Sequence, residues 1–244
     1  MEPFFMWKII ETEPDLAEKN MELDRNFLKN IKKEGRPILH FYGWSKKSLT
    51  YGHFIHPSKF LDIDEVEKRD VSIAKRPTGG GVILHVSDLA FSVVIPAHSP
   101  YFSENILKNY HFVNSAVKEA VFAFLKETND PLALLEEESA PLDPACRSFC
   151  MAKPTKYDVM LGSKKVAGAA QRQTKEGFLH QGSISISLPQ TDFLKAILLK
   201  GTKVFEAMHQ NTFCLIPSPH TENELKSARE GLKKQLITHL TKKE

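Results

Sequence analysis

The strongest chemical signal in the chain is the run Arg76-Pro77-Thr78-Gly79-Gly80-Gly81-Val82-Ile83-Leu84-His85. An arginine precedes three consecutive glycines, and the group lies between two strand-like runs, Val71–Ala74 and Val82–Leu84. A glycine triplet in a sheet-like region loses conformational entropy on folding and buries no side chain. Such a loop suits a close approach of backbone to ligand. Its N–H groups can cradle a phosphate or acyl-phosphate, and the arginine can neutralise it. A Gly-rich hairpin turn would use the same residues without any ligand. The triplet alone does not choose between the two.

Two further residue types could do chemistry. Lys164 and Lys165 adjoin on a polar turn, where a pair of lysines is ordinarily solvated. Cys146 and Cys150 stand four apart, but no second Cys/His pair has metal-ligand spacing, so the motifs predict no metal site.

The elements that must position these groups read as an α+β sequence. Trp7–Glu11 is a first strand, and Asp15–Lys33 has helical apolar spacing after Pro14. Pro37–Tyr42 and Ser48–Phe54 read as strands, Phe60–Arg69 as a short helix, and Ala90–Pro96 as a strand beyond the Gly loop. Glu104–Glu127 carries a broad apolar stripe. The acidic, proline-containing Thr128–Pro144 reads as irregular. Tyr157–Leu161, Lys165–Gln171 and Ser183–Leu188 follow as strands, the last alternating strictly and so expected to be half-buried. Glu222–Leu240 places Leu225, Leu232, Leu236 and Leu240 on one helical face.

Composition removes several classes of function. With 41% hydrophobic and 26% charged residues the chain is ordinary for a soluble globular protein. A net charge of +3, without long like-charge blocks, gives no support to nucleic-acid binding. The longest uncharged stretch, Leu89–Ser103, is interrupted by Pro96 and Pro100 and is too short to span a membrane. The N-terminus lacks the pattern of a signal peptide. Three cysteines make no disulfide framework, and a reducing cytoplasm is the expected compartment.

Three groups of residues fall in a recognisable order. The first is Asn20-Met21-x-x-Asp24 with Phe41-Tyr42-x-Trp44 and Ser48-x-Thr50-x-Gly52. The second is Arg76-x-Thr78-Gly79-Gly80-Gly81-x-x-x-His85, with Ser92-Val93-Val94 beyond. The third is Tyr157-Asp158-x-x-x-Gly162-x-x-Lys165-Val166-x-Gly168-x-Ala170-Gln171, ending in Gly182-Ser183. From about Trp7 to Leu188 the sequence resembles the lipoate–protein ligase A/octanoyltransferase family, which shares its catalytic fold with biotin–protein ligases.

That resemblance implies a mixed, largely antiparallel sheet flanked by helices. Residues 1–195 would form the catalytic domain and 196–244 a helical extension packed on it. It implies an enzyme that attaches lipoate or octanoate to a lysine of lipoyl carrier domains, namely the E2 subunits of 2-oxoacid dehydrogenases and the glycine cleavage H protein. Lys165 matches the family's central lysine, whose ammonium can polarise the acyl carbonyl. Arg76, Thr78, Gly79, Gly80, Gly81, Gly168 and Ala170 would bind acyl-adenylate, with His85 as a pocket residue. Asn20, Asp24 and Trp44 are assigned to helix polar face and core, without chemistry.

Two reactions divide the family. Ligases use ATP and Mg2+ to make lipoyl-adenylate; the Gly79–Gly81 triplet resembles theirs, and this is the leading reading. Octanoyltransferases of one branch take octanoate from acyl carrier protein as a cysteine thioester. Cys150, ahead of Pro154-Thr155-Lys156-Tyr157, stands at the matching position, where a nearby Lys165 ammonium would favour thiolate. His180-Gln181-Gly182 departs from the family, which usually has His directly before Gly. Only about 55 residues follow Leu188, short for an accessory domain, so a separate accessory protein is a possible partner. A biotin–protein ligase is disfavoured because its Gly-Arg-Gly-Arg pattern is missing. A degenerate member that only binds acyl groups or lipoyl domains is the non-enzymatic alternative.

Overall fold

The computed structural model describes residues 6–242. In chain order its elements are β1 (Lys8–Glu11), α1 (Ala17–Glu34), β2 (Ile38–Tyr42), β3 (Ser48–Tyr51), α2 (Ile63–Lys68), β4 (Ser72–Lys75), β5 (Val82–His85), β6 (Asp88–Pro96), α3 (Ile106–Leu125), β7 (Leu132–Leu134), β8 (Val159–Leu161), β9 (Lys164–Thr174), β10 (Gly177–Ser185), α4 (Thr191–Ile197), α5 (Val204–Asn211) and α6 (Glu222–Leu240). The α+β class is as expected.

Seven strands form the larger sheet, in the order β1-β2-β6-β10-β9-β8-β7. Every pairing in it is antiparallel except β1 with β2 at one edge. A second sheet, β4-β3-β5, carries the Gly loop between β4 and β5.

Alternation along the central strands sorts their residues between two layers. Phe91, Val93 and Ile95 of β6, with Phe178 and Ile184 of β10, enter a core closed by Val113, Val117 and Val121 of α3 and by Leu232 and Leu236 of α6. The opposite face takes α1, through Leu28 and Ile31 on Val94 and Leu179. Gly35 ends α1 in the left-handed region at φ 73, where its N–H caps Ile31 O. The small sheet has its own core, in which Leu49, Val82 and Leu84 meet Cys146, Phe149, Leu194 and Met208.

The structure departs from the sequence reading in three places. The alternating run begins earlier, since β10 starts at Gly177 and ends at Ser185. It is also buried on both faces: Ser183, Ser185 and Ser187 point toward the second sheet and are as hidden as Ile184 and Ile186. Residues 128–144 are not wholly irregular, because β7 pairs with β8 at the sheet edge. Finally, α4 and α5 fill the stretch between β10 and α6 and pack into the small-sheet core.

Candidate active site

The Gly loop is held from inside by Arg76. Its Nη1 donates to Thr50 O (3.0 Å) and Thr50 Oγ1 (2.9 Å), and its Nη2 to Gly79 O (3.0 Å) and Gly81 O (2.7 Å). Arg76 is 5% exposed, and its Nε has no partner. Gly80 adopts φ +83, and a Cβ there would lie 3.1 Å from Arg76 Nη2. A Cβ on Gly81 would come within 2.5 Å of Ser148 O. The triplet therefore has packing reasons of its own. Two of its carbonyls, Gly79 O and Gly81 O, turn inward to the arginine.

Thr50 passes the connection on to the β5 end. Its hydroxyl is 2.8 Å from His85 Nε2, and His85 Nδ1 is 2.7 Å from Asp88 Oδ2. Ser183 donates to the same oxygen at 2.7 Å. His85 also stacks on Trp44 with centroids 4.1 Å apart. Burial pushes the Asp88 carboxyl up, but His85, Ser183 and the nearby Arg229 together hold it below the usual range.

Lys165 is the second residue of β9 and is 3% exposed, so it is not the solvated lysine that its neighbour Lys164 is. Its Nζ is 2.7 Å from Asp158 Oδ2 and donates to Cys150 O at 2.8 Å. Asp158 Oδ2 also accepts Thr155 N–H and Oγ1–H. Burial raises the Asp158 carboxyl, opposed by Lys165 and Thr155. Gly168 lets this pair lie flat across β9: a Cβ there would be 2.4 Å from Lys165 Nζ and 2.7 Å from Asp158 Oδ1.

Cys150 is fixed along its backbone. Its N–H donates to Val82 O at 2.9 Å, while its carbonyl accepts the Lys165 ammonium. The thiol lies under the loop, 3.8 Å from where a Gly80 Cβ would be.

Beneath the loop runs a buried polar network. Thr78 Oγ1 donates to Gln181 Oε1 (2.7 Å), whose Nε2 donates to Asp24 Oδ2 (2.6 Å). Asp24 Oδ1 accepts from His40 Nδ1 (3.0 Å) and Ser92 Oγ (2.6 Å). Asp24 is thus no polar-face residue; it is fully buried and supports the floor of the site. Gln181 occupies that floor in place of a histidine. His180 points instead into the α3 core, where Gln171 Nε2 donates to its Nδ1 at 2.7 Å and burial lowers its pKa to about 3.

One cavity of about 30 Å³ joins these pieces, lined by Arg76, His85, Cys150, Lys165, Gly168 and Ala170 together with Met21, Tyr42 and Ile83. Of the residues singled out by sequence, Thr78 and Gly79–Gly81 lie behind this wall as its support. Asp158, Thr50 and Gln181 were quoted from the sequence only as motif positions, without a role at the site, and Asp88 was not singled out. A signal existed for Asp158: an acid lies across the Leu161–Lys164 turn from the lysine. For Asp88 the signal was its place three residues after His85; none was available for Thr50, which meets Arg76 and His85 only through sheet pairing. Among the described residues no group of three or more His, Cys, Asp or Glu could hold a metal ion, and no helix is long and apolar enough to cross a membrane.

The lipoyl protein ligase A/B catalytic domain matches residues 17–227. The octanoyltransferase LipM of Staphylococcus epidermidis is 28% identical over 240 residues, covering 95% of this chain and 87% of that protein. LipM of Bacillus subtilis is 27% identical over 206 residues, covering 84% and 74%. Among solved structures, lipoate-protein ligase A bound with ATP superposes with a TM-score of 0.67 at 23% identity, covering 94% of this chain and 85% of that one. A bipartite lipoate protein ligase from Thermoplasma acidophilum, analysed with its E2 lipoyl domain, gives 0.66 at 21% identity, covering 97% and 84%. At these identities the two structures speak for the fold.

Proposed function

The chain belongs to the lipoyl protein ligase A/B catalytic domain family, and we propose that it is a protein octanoyltransferase working through Cys150. The observation that carries this reading is the placement of the Cys150 thiol on the cavity wall, with the Lys165 ammonium fixed on the same residue's carbonyl. The reading moves away from the ATP-dependent ligase that the Gly triplet suggested. Arg76 spends both Nη groups on Thr50, Gly79 and Gly81, which leaves Nε alone of its donors for the phosphates of an adenylate in this conformation. The relatives named octanoyltransferase support the same choice.

In the first step the Cys150 thiolate attacks the carbonyl of an octanoyl thioester. The donor C–S bond breaks, the donor leaves as a thiolate that takes up the proton Cys150 gave up on ionising, and octanoyl-Cys150 forms. In the second, a lysine amine of a lipoyl carrier domain attacks octanoyl-Cys150. The amide bond forms, the C–S bond breaks, and the amine proton passes to the departing cysteine sulfur. Lys165, held by Asp158, supplies positive potential in a water-poor site where charge grows on the acyl oxygen. Acyl carrier protein as donor and E2 or H-protein lipoyl domains as acceptors are the proposed partners.

Intact-mass spectrometry of an unmodified lipoyl domain tests the reading. One tube holds octanoyl-acyl carrier protein without ATP; the other holds lipoate, ATP and magnesium. Octanoylation in the first tube, abolished by Cys150→Ala, is expected. Modification only in the second, surviving Cys150→Ala, would return the chain to the ligases.

A further inference from the structure

Arg229 lies outside every motif read from the sequence and beyond the family match, which ends at residue 227. It is carried by α6, which begins at a capping box formed by Thr221 and Glu224 and is anchored by Leu232 and Leu236 in the main core. That anchoring turns Arg229 toward the tight link between β5 and β6. Its Nε donates to Asp88 O at 2.9 Å, and its Nη2 makes a long contact with Val86 O at 3.5 Å.

The link it grips bears His85 and Asp88. Asp88 is buried, and its Oδ1 has no partner. From there a continuous chain of contacts runs from His85 to Thr50, from Thr50 to Arg76, and from Arg76 to the carbonyls over Cys150. A rigid fork that spans two carbonyls is what arginine provides and lysine does not.

We infer that Arg229 is a positioning residue for acyl transfer: from the C-terminal helix it fixes the His85–Asp88 pair, and through Thr50 and Arg76 the loop above the nucleophile. The inference rests on the acyltransferase reading for its kinetic consequence, not for its geometric one. The groups acting on Asp88 include His85 from β5, Arg229 from α6 and Tyr42 from β2, with the Ser183 hydroxyl from β10; Glu11 of β1 and Lys226, Glu230 and Lys233 of α6 line the same cleft. Removing Arg229 takes away one of the favourable charges beside a buried carboxylate, and the carboxyl then protonates at higher pH.

The molecule holds its own control. His40 and Asp24 form a second buried His–carboxylate pair, built on β2 and α1 and untouched by Arg229. The experiment compares full-length wild type, Arg229→Ala and Arg229→Lys. Cys150 loading from an S-octanoyl thioester of N-acetylcysteamine is followed by intact mass across pH, and the ring N–H protons of His85 and His40 by NMR on 15N-histidine protein. Arg229→Ala is expected to lower loading kcat/KM roughly 10- to 100-fold, to move the acid limb to higher pH, and to lose the His85 Nδ1–H signal while His40 keeps its own. Arg229→Lys should restore the acid limb but not the full rate. An unchanged His85 signal, or loss of both histidine signals together, overturns the inference. If wild type accepts no octanoyl group the transferase reading falls, and the His85 signal alone then decides the geometric role of Arg229.

Discussion

Arg76 and Lys165 are buried cations on two walls of one cavity, and the protein meets their charges in opposite ways. On the small-sheet side Arg76 has four bonds to neutral oxygens, and among the described residues no carboxylate pairs with it. On the large-sheet side Lys165 is matched by Asp158 at 2.7 Å. A delocalised, weakly hydrated guanidinium tolerates solvation by carbonyl dipoles alone, whereas a compact ammonium loses more hydration and calls for a counter-charge. Arg76 therefore leaves a net positive field at the cavity while serving as a structural pin. Lys165 contributes a placed ammonium whose field Asp158 offsets in part. His180 is a third case: given only an amide donor, it stays uncharged.

The sharpest way to break this contrast is Lys165→Met. It strands the Asp158 carboxyl in a dry site, and a loss of about 3–5 kcal/mol is expected, with acyl transfer abolished. Urea unfolding of Lys165→Met against the double variant with Asp158→Asn reads the pair. Stability should largely return in the double variant and activity should not. A single variant as stable as wild type would mean the pair is not buried as described.

Arg76→Lys keeps the charge and removes the fork. About 2–3 kcal/mol should be lost, since carbonyls of Thr50, Gly79 and Gly81 lose their donor. If chemical denaturation finds this variant at wild-type stability, the pin is charge alone.

Gly168→Ala probes the Lys165 side without touching its charge. The added methyl must displace the Lys165–Asp158 pair, for roughly 1–3 kcal/mol. Transfer should fall more than stability does, which a paired activity and melting measurement would reveal.

The smallest effect concerns His180. Below pH 6.5 the unfolded chain binds a proton on this ring that the folded chain refuses until about pH 3. The unfolded state thus holds more protons in that window, and stability falls as pH falls, by at most about 1.4 kcal/mol per unit. Asp158, with its raised carboxyl, acts in the opposite sense at the acid end. The histidine's share is therefore the difference in melting temperature slope between wild type and His180→Gln from pH 6.5 to 5.5. Equal slopes would place the charge change elsewhere.

Local patterning made most elements legible, because the stripes of α1, α3 and α6 and the strands flanking the Gly loop are written in spacing of 3.6 and 2. Cys150, Lys165, Arg76 and His85 were reached through motif order, and the structure gathers them on one cavity. What stayed hidden was determined by non-local pairing. Asp24 looked like a helix polar residue until β2, β6 and β10 were laid against α1. The burial of Ser183–Ser187 depends on a second sheet that no window of sequence reports. Arg76 read as a phosphate ligand because its nearest neighbours are glycines; Thr50, which claims one half of its guanidinium, is 26 residues away.

Cys150 is also a seam. Its amide hydrogen-bonds Val82 of the small sheet, its carbonyl takes Lys165 of the large one, and Phe149 beside it bridges to Val82. The backbone of this one residue therefore stitches the two sheets together at the point of reaction. Any shearing of one sheet on the other must first break one of these two bonds. Hydrogen exchange at a single amide would then report the opening of the whole cavity, and exchange there should slow when an acyl group is attached to the neighbouring sulfur.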